Sequence, residues 1–277
     1  MRASDAARAA LLTVATVGAA TSATAQAPAA PSELVVYGAG SLRRALTAVA
    51  ADFERATPGV KVRLVFGASG LLLERIRDKG ERADVFASAN MEHPQALAAS
   101  GRAQPVRAFA RNALCALHPA SFDLSSANLV DRLLDPAVKL GTSTPRADPS
   151  GDYAFAMFDR IDQQPGRAGA GRALAAKALQ LTGGPTSPPP PPDRNVYGVL
   201  VAGGQADVFI TYCTNATVAM AEQPTLRMLR IPEPINVGAS YGVAALRDAP
   251  PQAAAFVAHL LGSAGQAVLA KEGFAAP

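Results

Sequence analysis

Tryptophan is absent from the 277 residues and only 5% are aromatic, while the basic residues are scattered. A nucleic-acid footprint needs clustered cations interleaved with stacking side chains, and this chain offers neither. Histidine occurs three times, at His93, His118 and His259, with no metal-ligand spacing among them, so no metal site and no cofactor are expected. Cysteine occurs twice, at Cys115 and Cys213. In an exported protein an even count suggests a disulfide, and two free buried thiols are the alternative. Past the N-terminal segment no stretch approaches about 18 uninterrupted apolar residues, so the mature chain is expected to be soluble. No repeat of fixed period occurs. The net charge of +4 says little about partners beyond a mild preference for anions.

The N-terminal segment reads as an export signal. Arg2 and Arg8 precede a mostly apolar run over residues 9–20, and Ala23-Thr24-Ala25 offers a small-x-small cleavage site. Residues 1–25 are therefore expected to be a signal peptide cleaved near Ala25, which places the mature protein in the periplasm. An uncleaved anchor is the alternative, though the run is short and alanine-rich.

What the rest of the chain does have is a repeated device. Residues 35–42 (VVYGAGSL) are a short β-branched run, then two glycines within three residues, then Ser41 where an N-cap belongs. Leu42, Ala45, Leu46, Val49, Ala50 and Phe53 follow at helical spacing. Residues 60–66 alternate as a second strand, end in Gly67-Ala68-Ser69-Gly70, and give way to another helical pattern. A third loop, residues 142–151, is rich in hydroxyls and backbone N–H groups and feeds a helix from Asp152. Each strand-to-helix junction presents free N–H groups, the positive end of a helix dipole and a hydroxyl, which suits an anion. The plain alternative at each is an ordinary capped turn.

Further strands are expected at residues 83–87, 107–117, 138–141, 207–212, 228–231 and 240–246. Helices are expected near 91–99, 152–161, 172–181, 195–202, 253–261 and 264–271. Residues 183–192 (GGPTSPPPPP) can be neither helix nor central strand and read as a stiff exposed connector. Strands alternating with helices imply an α/β fold with mainly parallel sheets, divided into two lobes with a ligand cleft between them.

In order and spacing, GAGSL at 38–42, FGASGLLLERI at 66–76, ADVFASAN at 83–90, PSGDYA at 149–154, NVYGVL at 195–200 and ITYCTNA at 210–216 form a pattern. It resembles the periplasmic molybdate-binding proteins that deliver oxyanions to ABC importers, which have the two-lobed type II periplasmic binding protein fold. The resemblance implies a first lobe over residues 33–111, a second over 112–238 and a return to the first over 239–277. It implies a monomer that captures molybdate or tungstate and hands it to an importer permease. It also implies that Ser41 and Ser69 hold the ion by hydroxyl and amide, Ser150 and Val196 by their amides, and Tyr212 by its hydroxyl. A cleft offering only neutral donors suits a dianion and avoids burying a compensating cation. It places Cys115 and Cys213 in the same lobe. Ser150, Cys213 and Asn215 depart from the residues common in that family, which leaves sulfate, thiosulfate or a small carboxylate as the other ligands to weigh. Ferric ion is disfavoured, because Tyr153, Tyr197 and Tyr212 have no obvious acidic companions.

The competing class is an enzyme using Cys213 or Ser41 as nucleophile. Neither has a histidine near it in sequence, and neither glycine–serine turn has the spacing of a nucleophile elbow.

Overall fold

The computed structural model describes residues 32–189 and 193–277. The expected signal peptide, its cleavage site and Pro190–Pro192 of the connector lie outside those residues. The described residues form ten strands and ten helices, arranged as two lobes that each wrap helices around one five-stranded sheet.

The first sheet has the order β2-β1-β3-β10-β4, built from β1 (Ser32–Ala39), β2 (Val60–Gly67), β3 (Val85–Ser88), β4 (Arg107–Asn112) and β10 (Ala239–Ala245). Leu34–Ala39 is buried throughout, as expected of a strand covered on both faces. Helix α1 (Arg43–Ala56) lays Leu46, Val49 and Phe53 on the core, while α2 (Ser69–Arg77) buries Leu72, Leu73 and Ile76. Helix α3 (Glu92–Ala99) follows β3 and contributes buried Leu97. The second sheet has the order β7-β6-β8-β5-β9. Its strands are β5 (Leu114–Pro119), β6 (Leu140–Ser143), β7 (Leu179–Thr182), β8 (Val208–Tyr212) and β9 (Leu226–Arg230). Helices α4 (Leu129–Leu134), α5 (Pro149–Asp162), α6 (Ala170–Lys177), α7 (Val196–Ala202) and α8 (Cys213–Glu222) surround it. Helices α9 (Pro251–Leu261) and α10 (Ser263–Lys271) close the first lobe, with Phe256 stacked edge-on to Phe53 at 5.3 Å.

The sheets are mixed rather than mainly parallel. β1 pairs in parallel with β2 and β3, and β6 with β7 and β8. β10 runs antiparallel to β3 and β4, and β5 antiparallel to β8 and β9. The antiparallel members are the strands that enter a sheet from the other lobe, so no helical crossover sets their direction.

The apolar run 107–117 is not one strand. It breaks at Ala113, where the chain leaves the first sheet as β4 and enters the second as β5. Asn112 Oδ1 accepts from the Ala113 amide at 3.0 Å, a local side-chain bond that replaces a ladder bond at the crossing. The return crossing is held by Asn236, whose Oδ1 accepts from the Leu114 amide and whose Nδ2 donates to the Leu114 and Ile231 carbonyls. Residues 179–181, expected to end a helix, belong to β7 instead. This is an edge strand whose Leu179 is 39% exposed, and pairing with β6 outweighs the helical character of the alanine-rich segment before it.

Candidate functional site

The ends of β1, β2 and β8, and the loops before α5 and α7, face one another across a cavity of about 830 Å³. Its walls include Ser41, Ser69, Val196 and Tyr212. Ser150 is not among the lining residues. It sits fully buried in the first turn of α5, and its amide donates to Asp148 Oδ1 at 3.0 Å. The amide that the resemblance assigns to the ligand is thus spent on the helix cap.

Neither first-lobe serine caps its helix. The turn after β1 is a short 3-10 segment, Gly40–Leu42, and α1 begins at Arg43. Ser41 Oγ instead lies 3.0 Å from Tyr241 Oη, which also accepts from Asn112 Nδ2 at 3.4 Å. With Tyr241 donating to Ser41, the Ser41 hydroxyl proton is left for the cavity. Burial holds the Tyr241 phenol well above its usual range, so it stays a donor. Ser69 is the first residue of α2 and accepts from the Ala89 amide at 3.2 Å, which again leaves its own proton free to donate.

The second lobe supplies a different signal. Tyr212 is 1% exposed, and its Oη is buried with no partner among the described residues. The hydroxyls of Thr142 and Ser150 are also buried without a partner, but neither residue lines the cavity. Buried polar atoms are nearly always hydrogen-bonded, so the orphaned Tyr212 hydroxyl on the cavity wall points to something that is bound there. Burial keeps the Tyr212 phenol protonated far above neutral pH, with the nearby Tyr241 and Asp148 adding to the effect. Tyr153 stacks on Tyr212 at 6.2 Å, and burial pushes its phenol up to about 12. Val196 opens α7 and lines the cavity; Asn195 Oδ1 caps the Gly198 amide at 3.0 Å, and the Val196 N–H, in the first turn, has no partner within the helix.

Three features of the cavity were not legible in the sequence. The first is Asp148, an acid in the lining. Burial pushes its carboxyl up to about 6, against the downward pull of the Ser150 amide and the neighbouring Ser143 hydroxyl. Tyr197 and Tyr212 therefore do have an acidic companion, and the cleft is not composed of donors alone. The second is the rim of Arg43, Arg44 and Arg194. Arg44 pairs with Glu272 at 3.0 Å, Arg194 approaches Glu222 at 3.8 Å, and Arg43 lies over the Phe66 ring at 4.6 Å. The third is the connector, whose Gly183–Pro185 and Pro188–Pro189 line the cavity instead of standing away as a bare spacer.

Cys115 and Cys213 are joined in a disulfide. Cys213 follows Tyr212 directly, so the bond ties the end of β8 to β5 beside the site. Cys213 is consequently no free nucleophile, which removes that form of the enzymatic alternative. None of His93, His118 and His259 is among the cavity's lining residues, so Ser41 has no imidazole base there.

A family model described as bacterial extracellular solute-binding protein matches residues 34–275. An uncharacterised protein of Pasteurella multocida is 36% identical over 215 residues, which is 76% of this chain and 86% of that one. The periplasmic molybdate-binding protein of Azotobacter vinelandii superposes with a TM-score of 0.70 at 20% identity, over 88% of this chain and 99% of the other. The sulfate-binding protein SubI of Mycobacterium tuberculosis superposes with a TM-score of 0.72 at 16% identity, over 88% and 87%. At these identities the two structures speak to a shared two-lobed fold.

Proposed function

The chain belongs to the bacterial extracellular solute-binding proteins, and from that premise we propose that it captures an oxyanion between its lobes in the periplasm and passes it to an ABC importer permease. The observation that carries this reading is the orphaned Tyr212 hydroxyl, buried on the same cavity as two serines with protons to give. Ser41, Ser69, Val196 and Tyr212 are the proposed ligand contacts, and Ser150 lies behind them. Charge-assisted hydrogen bonds from fixed donors are strong in a closed cleft, and the starts of α2 and α7 add their dipoles. Molybdate and tungstate are the first ions to try, since the motifs at Ser41, Ser69 and Tyr212 resemble those of the molybdate-binding proteins. A chain exported by its N-terminal segment and acting as a monomer fits the same role.

The cavity supports a second reading, an anion larger than a bare tetrahedral ion. A five-atom oxyanion displaces only a few waters of about 30 Å³ each, whereas the space here is about 830 Å³. Clefts of that size hold small organic molecules, whose body would run toward Arg43 and the connector.

Thermal unfolding with molybdate, tungstate, sulfate, thiosulfate and phosphate in turn tests the proposal. A ligand at 100 times its dissociation constant adds about 2.7 kcal/mol to a protein it binds only when folded. A shift that is lost in Ser41→Ala and Ser69→Ala supports the site. A protein indifferent to all five ions, but shifted by small organic acids, would move the assignment to the second reading. No shift with either class would sink it.

A further inference from the structure

Asn112 is the last residue of β4, at the crossing between the lobes, and it is buried. The way its amide points is fixed by chemistry. Asn112 Oδ1 accepts from the Ala113 amide at 3.0 Å, and the reversed amide would set two N–H donors against each other. Nδ2 therefore faces two hydroxyls, Thr214 Oγ1 at 2.8 Å and Tyr241 Oη at 3.4 Å. An amide nitrogen has two hydrogens to give and accepts nothing, so both hydroxyls must receive. Tyr241 Oη then has a single acceptor for its own proton among the described residues, Ser41 Oγ at 3.0 Å. Thr214 Oγ1 makes no further hydrogen bond among the described residues, so its proton has no acceptor there. Thr214 and Ser41 both line the cavity.

One asparagine thus sets the direction of two hydrogen-bond chains. The short chain runs from Asn112 to Thr214, the second residue of α8, in the second lobe. The longer one runs from Asn112 through Tyr241 to Ser41, in the turn before α1, in the first lobe. Each chain ends on a hydroxyl at the cavity whose proton is left to give. The acids on the same wall, Asp148, Asp193, Glu222 and Glu272, make no hydrogen bond to either hydroxyl among the described residues. A buried donor left unmade is costly, and an anion supplies the lone pairs that would satisfy both. Hydrogen bonds in a chain also polarise one another, which strengthens the terminal donor. Resting on the reading that this cleft holds an anion, we propose that Thr214 is a further ligand contact from the second lobe, and that Asn112 is the positioning residue that turns the Thr214 and Ser41 protons toward the ion.

Calorimetric titration of the wild type with molybdate, tungstate, sulfate and phosphate selects the ion, and the same ion is then titrated into the variants. Thr214→Val removes the hydroxyl at nearly constant shape and should bind at least about tenfold more weakly, as loss of one hydrogen bond to a charged group implies. Thr214→Ser keeps the hydroxyl and should restore most of that loss. Asn112→Asp keeps the acceptor for the Ala113 amide but makes the donor a second acceptor, so Thr214 and Tyr241 donate inward and Ser41 donates to Tyr241. Two donors then leave the cavity at once, and affinity should fall at least about a hundredfold. In that background Thr214→Val should add little, because its proton is already turned away; a mere charge repulsion by the new carboxylate would leave the Thr214→Val effect at full size. If Asn112→Asp does not fold, the two Thr214 variants decide alone. Wild-type affinity in Thr214→Val, Thr214→Ser as weak as Thr214→Val, or additive effects of Thr214→Val and Asn112→Asp each overturn the proposal and leave the anion site standing. A wild type that binds none of the four ions overturns the oxyanion reading itself, and the proposal falls with it.

Discussion

Tyr212 shows how much of a site can rest on one atom. Its ring is fixed by Tyr153 and Tyr241, and its hydroxyl has nothing to bond to among the described residues. Tyr212→Phe should therefore leave the unliganded protein no less stable, since it removes an unsatisfied buried group. The same change should weaken binding of the favoured ion about 10- to 100-fold, because a hydrogen bond to a charged partner contributes about 1.5–3 kcal/mol. A denaturant midpoint measured beside a calorimetric titration separates the two effects, and a stability loss without an affinity loss would mean the hydroxyl serves the fold. Ser41 and Ser69 could be singled out from the sequence because each sits at a strand end in a glycine-bearing turn, a local pattern, and Tyr212 through the family resemblance. Asp148 could not. In the sequence it is one residue of the 142–151 loop; in the fold it caps α5, and the approach of Gly183 and the Gly70–Ala147 contact place it at the cavity.

Elements were legible where their burial is one-sided or complete over several residues, as in β1, β2, α1 and β8. They were misread where a neighbour decides. The 107–117 run is uniformly strand-like, and its division at Ala113 follows from Asn112 and Asn236 bonding across the crossing. β7 exists because β6 offers it an edge. Cys115 and Cys213 illustrate the same dependence: parity suggested a bond, and the antiparallel register of β5 on β8, with Leu114 opposite Tyr212, puts the two within reach. The bond closes a long loop, with a sequence separation of 98. Replacing both cysteines by serine should cost about 2–4 kcal/mol of stability. The check is chemical denaturation of the double variant against the oxidised wild type, and an unchanged midpoint would show the link to be energetically idle.

At the scale of the whole molecule the two lobes touch directly, and the contact is made by backbone. A Cβ at Gly70 would stand 2.4 Å from the Arg146 carbonyl oxygen and 2.7 Å from that of Ala147. Alanine suits a helix better than glycine does, so Gly70→Ala should not weaken α2 itself but should block this contact between the lobes. Ligand affinity should fall by about tenfold or more, because binding depends on closure around the ligand. Small-angle scattering should show that ligand no longer contracts the particle; full affinity with normal contraction would refute the role given to Gly70. A second path joins the lobes at the crossing, running from Ser41 through Tyr241 and Asn112 to Thr214, with the last bond at 2.8 Å. It links a proposed ligand contact to the strands about which the lobes would move. The sequence by itself determined the alternation of strands and helices, the serine-bearing turns and the two-lobed plan, because periodic burial and turn chemistry act within a few residues of the chain. Only the tertiary structure decided that Ser150 spends its amide on Asp148, that Asp148 faces the cavity and that one apolar run serves two sheets, because each depends on groups brought together from distant parts of the chain.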